Sequence, residues 1–217
     1  MLMDDTPRTA EERVGGRFGR SLWLASRSPR RRQLLTEHGY EFGLAESGLD
    51  DGELHPGNVD PAEWVMALAY LKAIAAMREL DPAQPPRPVL GADTVCVVDG
   101  EVVGQPVDAD DARRILLAVS NNSHEVLTGV AIVCPTSDRR DVFYERTLVT
   151  VGDLSPFIEA YVASGGWRGK AGAYNLAERL AEGWPIEHGG DPTSIMGLPM
   201  RLLSTRLEAF CDRPKAG

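Results

Sequence analysis

Apolar and polar positions fall into short blocks whose period shifts along the chain. Leu22-Trp23-Leu24-Ala25 is an unbroken apolar run that reads as a buried strand. After a turn over residues 26–28, Pro29 suits the first position of a helix, where its missing N–H costs nothing, and Ser28 before it is the expected N-cap. That helix turns Leu34 and Leu35 inward and stops near Gly39, and residues 40–45 read as a second strand. Asp60 and Pro61 open a longer helix with Trp64, Val65, Leu68, Leu71 and Ile74 at its apolar positions, ending before Asp81. Four prolines in residues 81–88 force a loop. Residues 89–96 are strand-like, and Asp99-Gly100 within 97–103 predicts a hairpin.

Further on, Asp108 opens a helix to about Val119. Residues 125–134 and 142–151 read as two long strands flanking a polar turn near Asp138, and Ser155-Pro156 starts a helix to about Ala163. Residues 164–172 are glycine-rich and basic, 177–182 predict a short helical turn, 189–192 a loop, and Pro199 opens a last helix over about 200–210. Helices alternate with strands at first, and longer adjacent strands follow. The expected class is α/β, a mixed sheet with covering helices rather than a purely parallel doubly wound one. Residues 1–20 are expected to be a disordered leader, 21–211 a single domain and 212–217 a polar tail.

With 217 residues and 43% hydrophobic content, a sizeable core forms without disulfides or structural metal. The three cysteines, Cys96, Cys134 and Cys211, are far apart and form no C-x-x-C pair. No apolar run is long enough to span a membrane and the first residues lack a signal-peptide core, so the expected compartment is the cytoplasm. A net charge of −9 argues against a broad nucleic-acid-binding face, so no nucleic-acid partner is expected. It leaves room for a small anion, because exposed charges are screened over roughly 10 Å.

Five segments carry candidate chemistry. In Ser26-Arg27-Ser28-Pro29-Arg30-Arg31-Arg32 a strand runs into a helix whose first turn bears hydroxyls and arginines. Free N–H groups and the helix dipole attract anions there, and arginine offers a planar fork to phosphate oxygens. Cations at that end of a helix oppose the dipole unless an anion lies between, so phosphate binding is favoured over a merely solvated turn. Asp93, in Gly91-Ala92-Asp93-Thr94, follows the apolar Val89-Leu90 and suits a metal or an attacking water; a turn aspartate bonding its own backbone is the competing reading. Asp50-Asp51-Gly52-Glu53 is either a second source of metal oxygens or a solvated loop. Lys72 sits beside Leu68 and Leu71 on an apolar helix face, where it either snorkels to water or meets an anion. Residues 164–174 join glycines to Arg168 and Lys170 but lack the P-loop pattern, and Trp167 and Tyr174 suit either base stacking or the core.

Taken together, the motifs resemble the Maf (septum-formation protein) family. Ala25-Ser26-Arg27-Ser28-Pro29-Arg30-Arg31 resembles its A-S-x-S-P-R-R signature, and Gly91-Ala92-Asp93-Thr94-Val95 its G-A-D-T-V segment. His124-Glu125-Val126-Leu127-Thr128-Gly129-Val130 resembles H-x-V-x-T-G-V, Lys170-Ala171-Gly172-Ala173-Tyr174 resembles K-A-G-x-Y, and Gly197-Leu198-Pro199 the late G-L-P. The ordered set is far more specific than any one segment. The resemblance implies an elongated mixed α/β fold with two lobes around a central cleft, like inosine triphosphate pyrophosphatases. It implies a Mg²⁺- or Mn²⁺-dependent hydrolase that cuts nucleoside triphosphates to monophosphate and pyrophosphate, acting as a homodimer. By position, Ser26, Ser28, Arg30 and Arg31 would bind phosphates, and Asp93 and Lys72 would be catalytic. Thr94, Gln105 and Lys170 would contact substrate, and Asp51 and Asp93 would hold the metal.

The chain departs from the family pattern in several places. Gly104-Gln105-Pro106 stands where the family reads G-K-P, so one cation is missing; Lys170 or Arg168 is the candidate replacement. Tyr174-Asn175-Leu176-Ala177-Glu178 stands where thymidine/uridine-type members read Y-G-I-Q-G, so the glutamine is lost at Ala177. Residues 190–193 look more like the 7-methylguanosine-triphosphate branch, whereas Arg30 and Thr94 look like the thymidine/uridine branch. The expected substrates are dTTP and UTP. Modified nucleotides such as 7-methyl-GTP, or nucleotide binding without turnover tied to septum formation, are the alternatives.

Overall fold

The computed structural model describes residues 20–49 and 54–212. Seven strands are present among them: β1 (Ser21–Ala25), β2 (Glu41–Leu44), β3 (Val89–Val98), β4 (Glu101–Val103), β5 (Asn122–Val133), β6 (Arg140–Val151) and β7 (Ile186–His188). They form one mixed sheet in the order β2-β1-β3-β5-β6-β7, with β4 on β3 beyond the end of β1. β1 runs parallel to β2 and β3, and every other pairing is antiparallel. The helices are α1 (Pro29–Glu37), α2 (Pro61–Glu79), α3 (Ala109–Val119), α4 (Ile158–Ser164), α5 (Leu176–Ala181), α6 (Pro192–Ile195) and α7 (Met200–Asp212). The mixed α/β class is as expected. Most of the expected leader, the acidic stretch 50–53 and residues 213–217 lie outside the described residues.

Local chemistry accounts for the element ends. Asp60 caps α2 by accepting from the N–H of Ala62 at 2.8 Å, and Asp108 caps α3 through Asp111 N–H at 2.8 Å. The β3–β4 hairpin turns on Asp99 and Gly100, both left-handed at φ 52° and 84°, which matches the twist of the flanking strands. Ser28 stands at the N-cap of α1, but its side chain does not cap the helix. Instead its N–H donates to Ser26 Oγ at 3.2 Å, so the nearer hydroxyl closes the turn. β7 and the four-residue α6 are too short to leave a periodic signal.

The two faces of the sheet are covered differently. Among the described helices, α2 is the one that spans the first face, burying Ala62, Val65, Leu68, Ala69, Ala73 and Ala76. Leu71, expected on this inner face, is exposed, because alanines rather than leucines define the contact. The reason lies in the sheet. A Cβ on Gly91 would come 2.2 Å from the Ala69 carbonyl oxygen, and one on Gly129 would come 2.4 Å from that of Val65. The helix backbone therefore rests directly on two glycines of β3 and β5.

On the opposite face the covering splits in two. One core joins Leu22, Leu34, Leu90, Ile132 and Leu203 beneath α1 and α7. The other joins Cys96, Ile115, Val126, Tyr161 and Trp184 beneath α3, α4 and α5. These are the two expected lobes, and they share the strands β3 and β5 as a floor.

The glycine contact makes a testable demand. Gly129→Ala should lower stability by about 1–3 kcal/mol through overpacking against α2. Gly189→Ala, whose added methyl meets open space, should stay within about 0.5 kcal/mol of the parent. Urea unfolding midpoints of the two variants decide this.

Candidate active site

β1 stops opposite Gly91, and β4 takes up pairing only at Cys96. Residues 92–95 of β3 thus have no strand on that edge. A cleft of about 700 Å³ opens there, at the carboxyl ends of the parallel strands β1 and β2. Open α/β sheets commonly hold ligands at such places. Residues 26–32 form one wall, residues 174–176 with Gln105 form the other, and Thr94, Cys96 and Val126 line the floor.

Arg31 is held by hydrogen bonds to three separate parts of the chain. Its Nε donates to the Gly197 carbonyl at 2.9 Å, Nη1 to Ser26 Oγ at 3.2 Å and Nη2 to Thr94 Oγ1 at 3.1 Å. Thr94 Oγ1 lies 3.0 Å from Thr128 Oγ1, whose own hydrogen goes to the Ser194 carbonyl at 2.7 Å. Thr128 has one hydrogen to give, so Thr94 donates to Thr128 and accepts from Arg31. Gly197 has φ 109°, and a Cβ there would come 3.0 Å from Arg31 Nε, which explains the glycine of the G-L-P segment.

Lys72, on α2, reaches Asp93 with Nζ 2.6 Å from Oδ1, both side chains being nearly buried. It does not snorkel to water. The alternation of β3 turns Asp93 toward α2 and Thr94 toward the opposite face, and the unpaired edge lets both line the cleft. The residue paired with Asp93 across β5 is Gly129, so no side chain crowds the carboxylate from that strand.

Ser26, Ser28, Arg30, Arg31, Lys72, Asp93, Thr94 and Gln105 all line this one cleft. Lys170 does not; its Nζ donates to Glu178 on α5. Arg168 lies over the Trp167 ring, 4.7 Å from its centroid, with that ring in the core. Asp51 lies outside the described residues. The cleft also takes in Glu46, Cys96, His124 and Asn175, to which sequence reasoning gave no role. For His124 a signal existed, since residues 124, 126 and 128 share one strand face.

Among the described lining residues five cations, Arg27, Arg30, Arg31, Arg32 and Lys72, face two carboxylates, Glu46 and Asp93. The chain is acidic overall, but this cleft is cationic. No cluster of three or more metal-ligating side chains exists among the described residues. His124 is 2% exposed and its Nε2 lies 2.9 Å from the Tyr174 hydroxyl, while Nδ1 has no partner. Burial pushes the imidazole from its usual 6.5 down to about 4, so it is neutral at pH 7. Burial likewise pushes the Cys96 thiol up to about 12, which makes it a poor nucleophile.

Comparison with known proteins follows the same lines. The family model described as Maf-like protein matches residues 21–210. A protein of Salinibacter ruber named dTTP/UTP pyrophosphatase is 42% identical over 88% of this chain and 92% of its own. Proteins of the same name from Cupriavidus metallidurans and Pelotomaculum thermopropionicum are 41% and 40% identical, over 82% and 86% of this chain and 91% and 95% of theirs. The solved Ham1 protein of Staphylococcus aureus aligns more loosely, with TM-score 0.41 and 14% identity over 61% of this chain and 72% of its own.

His124 gives this site a pH signature. The unfolded chain binds its proton near pH 6.5 and the folded protein only near 4, so stability is lost as pH falls through that window. The loss from this group is of order 3 kcal/mol. A His124→Gln variant keeps a neutral partner for Tyr174 and should lose correspondingly less between pH 6.5 and 4 in urea unfolding.

Proposed function

The chain belongs to the Maf family, and we propose that it hydrolyses nucleoside triphosphates, dTTP and UTP first among them, to the monophosphate and pyrophosphate. The observation that carries this reading is the Lys72–Asp93 pair facing the arginine-rich first turn of α1 in one cleft. A triphosphate needs cations along its length and one carboxylate near the reacting phosphorus. Here Asp93 would orient the attacking water and take its proton, while water adds to the α-phosphorus and pyrophosphate leaves. Lys72 and Arg30 would offset charge on the departing oxygens. Arg31, pinned between Ser26, Thr94 and Gly197, offers a pre-set guanidinium that need not reorganise.

Hard oxygen donors on the cleft suit Mg²⁺ or Mn²⁺. Asp93 Oδ2 bonds no other protein group among the described residues, and the Glu46 carboxylate is exposed on the cleft wall. Asp93, with Asp51 and the phosphate oxygens, would hold the ion. When bound, the ion would neutralise phosphate charge and lower the pKa of a nearby water. A cytoplasmic setting accords with three free, buried cysteines, and among the described residues no helix is long and apolar enough to cross a membrane. Tyr144 and Leu148, exposed on the α2 side of β6, offer a homodimer apolar surface to bury.

Pyrophosphate release from dTTP, UTP, CTP, 7-methyl-GTP and ITP with Mg²⁺ or Mn²⁺ tests the reading. Turnover is expected with dTTP and UTP, falling roughly 10²–10⁴-fold in Asp93→Asn with nucleotide binding retained. Binding without turnover of any nucleotide would leave a binding protein on this fold.

A further inference from the structure

One neutral side chain at the cleft has its hydrogen-bonding atoms sorted by the fold. Asn175 is the N-cap of α5, and its Oδ1 accepts the Glu178 N–H at 3.2 Å. That bond fixes which way the amide lies, with oxygen toward the helix end and Nδ2 away from it. Flipping the amide would set two donors against the helix N–H groups. The residue is 7% exposed and lines the cleft. Nδ2 bonds no protein group among the described residues, and it is not among the polar atoms sealed from solvent. Asn175, a lining residue of the cleft, therefore keeps two N–H donors that no described protein group takes up.

The surroundings select a ligand part. Cys96, Val126, Leu176 and Ile195 make this stretch of the cleft apolar, whereas the cations come from the α1 turn and α2. Phosphates belong with the cations and an uncharged ring with the apolar stretch. A fixed amide donor there needs an acceptor on that ring. Uracil and thymine carry a carbonyl oxygen at C4, where cytosine carries an amino group. We propose that Asn175 Nδ2 donates to this C4 carbonyl and so selects uracil and thymine over cytosine. The inference rests on the pyrophosphatase reading above.

Asn175→Asp tests this without removing the cap, because a carboxylate oxygen still accepts from Glu178 N–H. It turns the donor into an acceptor. The ratio of kcat/KM for UTP over CTP should fall by at least ~10-fold, the scale of one hydrogen bond lost and one gained. Asn175→Ser also keeps a cap and should lose UTP activity without gaining CTP activity. Thermal melting checks that both variants fold. An unchanged UTP-to-CTP ratio in Asn175→Asp overturns the inference. If the parent releases pyrophosphate from no nucleotide, the pyrophosphatase reading fails instead. The Asn175 inference is then decided by UTP and CTP binding in calorimetry, where equal shifts for the two on Asn175→Asp overturn it.

Discussion

The site depends on how closely α2 lies against the sheet. Gly91 and Gly129 leave the backbone carbonyls of Ala69 and Val65 in direct contact with β3 and β5. Ala73 and Ala76 continue the small-residue surface, so the helix lies flush along its length. From that height Lys72 meets Asp93 at hydrogen-bonding distance inside the sheet edge. A side chain on either glycine would lift the helix and draw the ammonium away from the carboxylate. Packing on one face of the sheet thereby sets the chemistry at the cleft.

A second constraint joins parts of the chain that are distant in sequence. Arg31 and Gly197 are 166 residues apart in sequence, yet a 2.9 Å hydrogen bond joins them. From Arg31 the chain of donors runs through Thr94 and Thr128 to the Ser194 carbonyl, tying α1, β3, β5 and α6 into one directional network. Each hydroxyl's proton has a single place to go, so the network resists partial rearrangement. The exposed pairs Arg113–Glu159 and Arg114–Asp111 contrast with it, since screened ion pairs of that kind add little.

Much of this was legible in the sequence wherever punctuation is strong. Pro29, Asp60-Pro61, Asp99-Gly100 and Asp108 fixed element ends because caps and turns act over three or four residues. The apolar pattern of α2 points Leu71 inward, whereas the structure exposes it, since side-chain hydrophobicity says nothing about how near a helix can come; the two glycines that decide it lie on other elements. Ser28 does stand at the N-cap position, but its hydroxyl accepts no helix N–H, and the turn is closed by its own N–H donating to Ser26 Oγ. Ser26, Arg30, Arg31, Lys72, Asp93, Thr94 and Gln105 were named and do line one cleft. Lys170 looked equally cationic and available, yet Glu178, eight residues on, takes it. His124 and Asn175 escaped notice because neither is charged at neutral pH and their roles rest on neighbours, one of them 50 residues away.

The charge of the molecule is unevenly placed. A chain of net charge −9 keeps five cations in one recess. An anion approaching elsewhere meets a repulsive exterior, and only one small enough to enter the recess leaves that field behind. A mononucleotide passes this sieve, whereas a strand of nucleic acid would drag most of its phosphates across the acidic surface. A charge distribution of this kind would thus favour small anions over extended ones, by size and before any base is read.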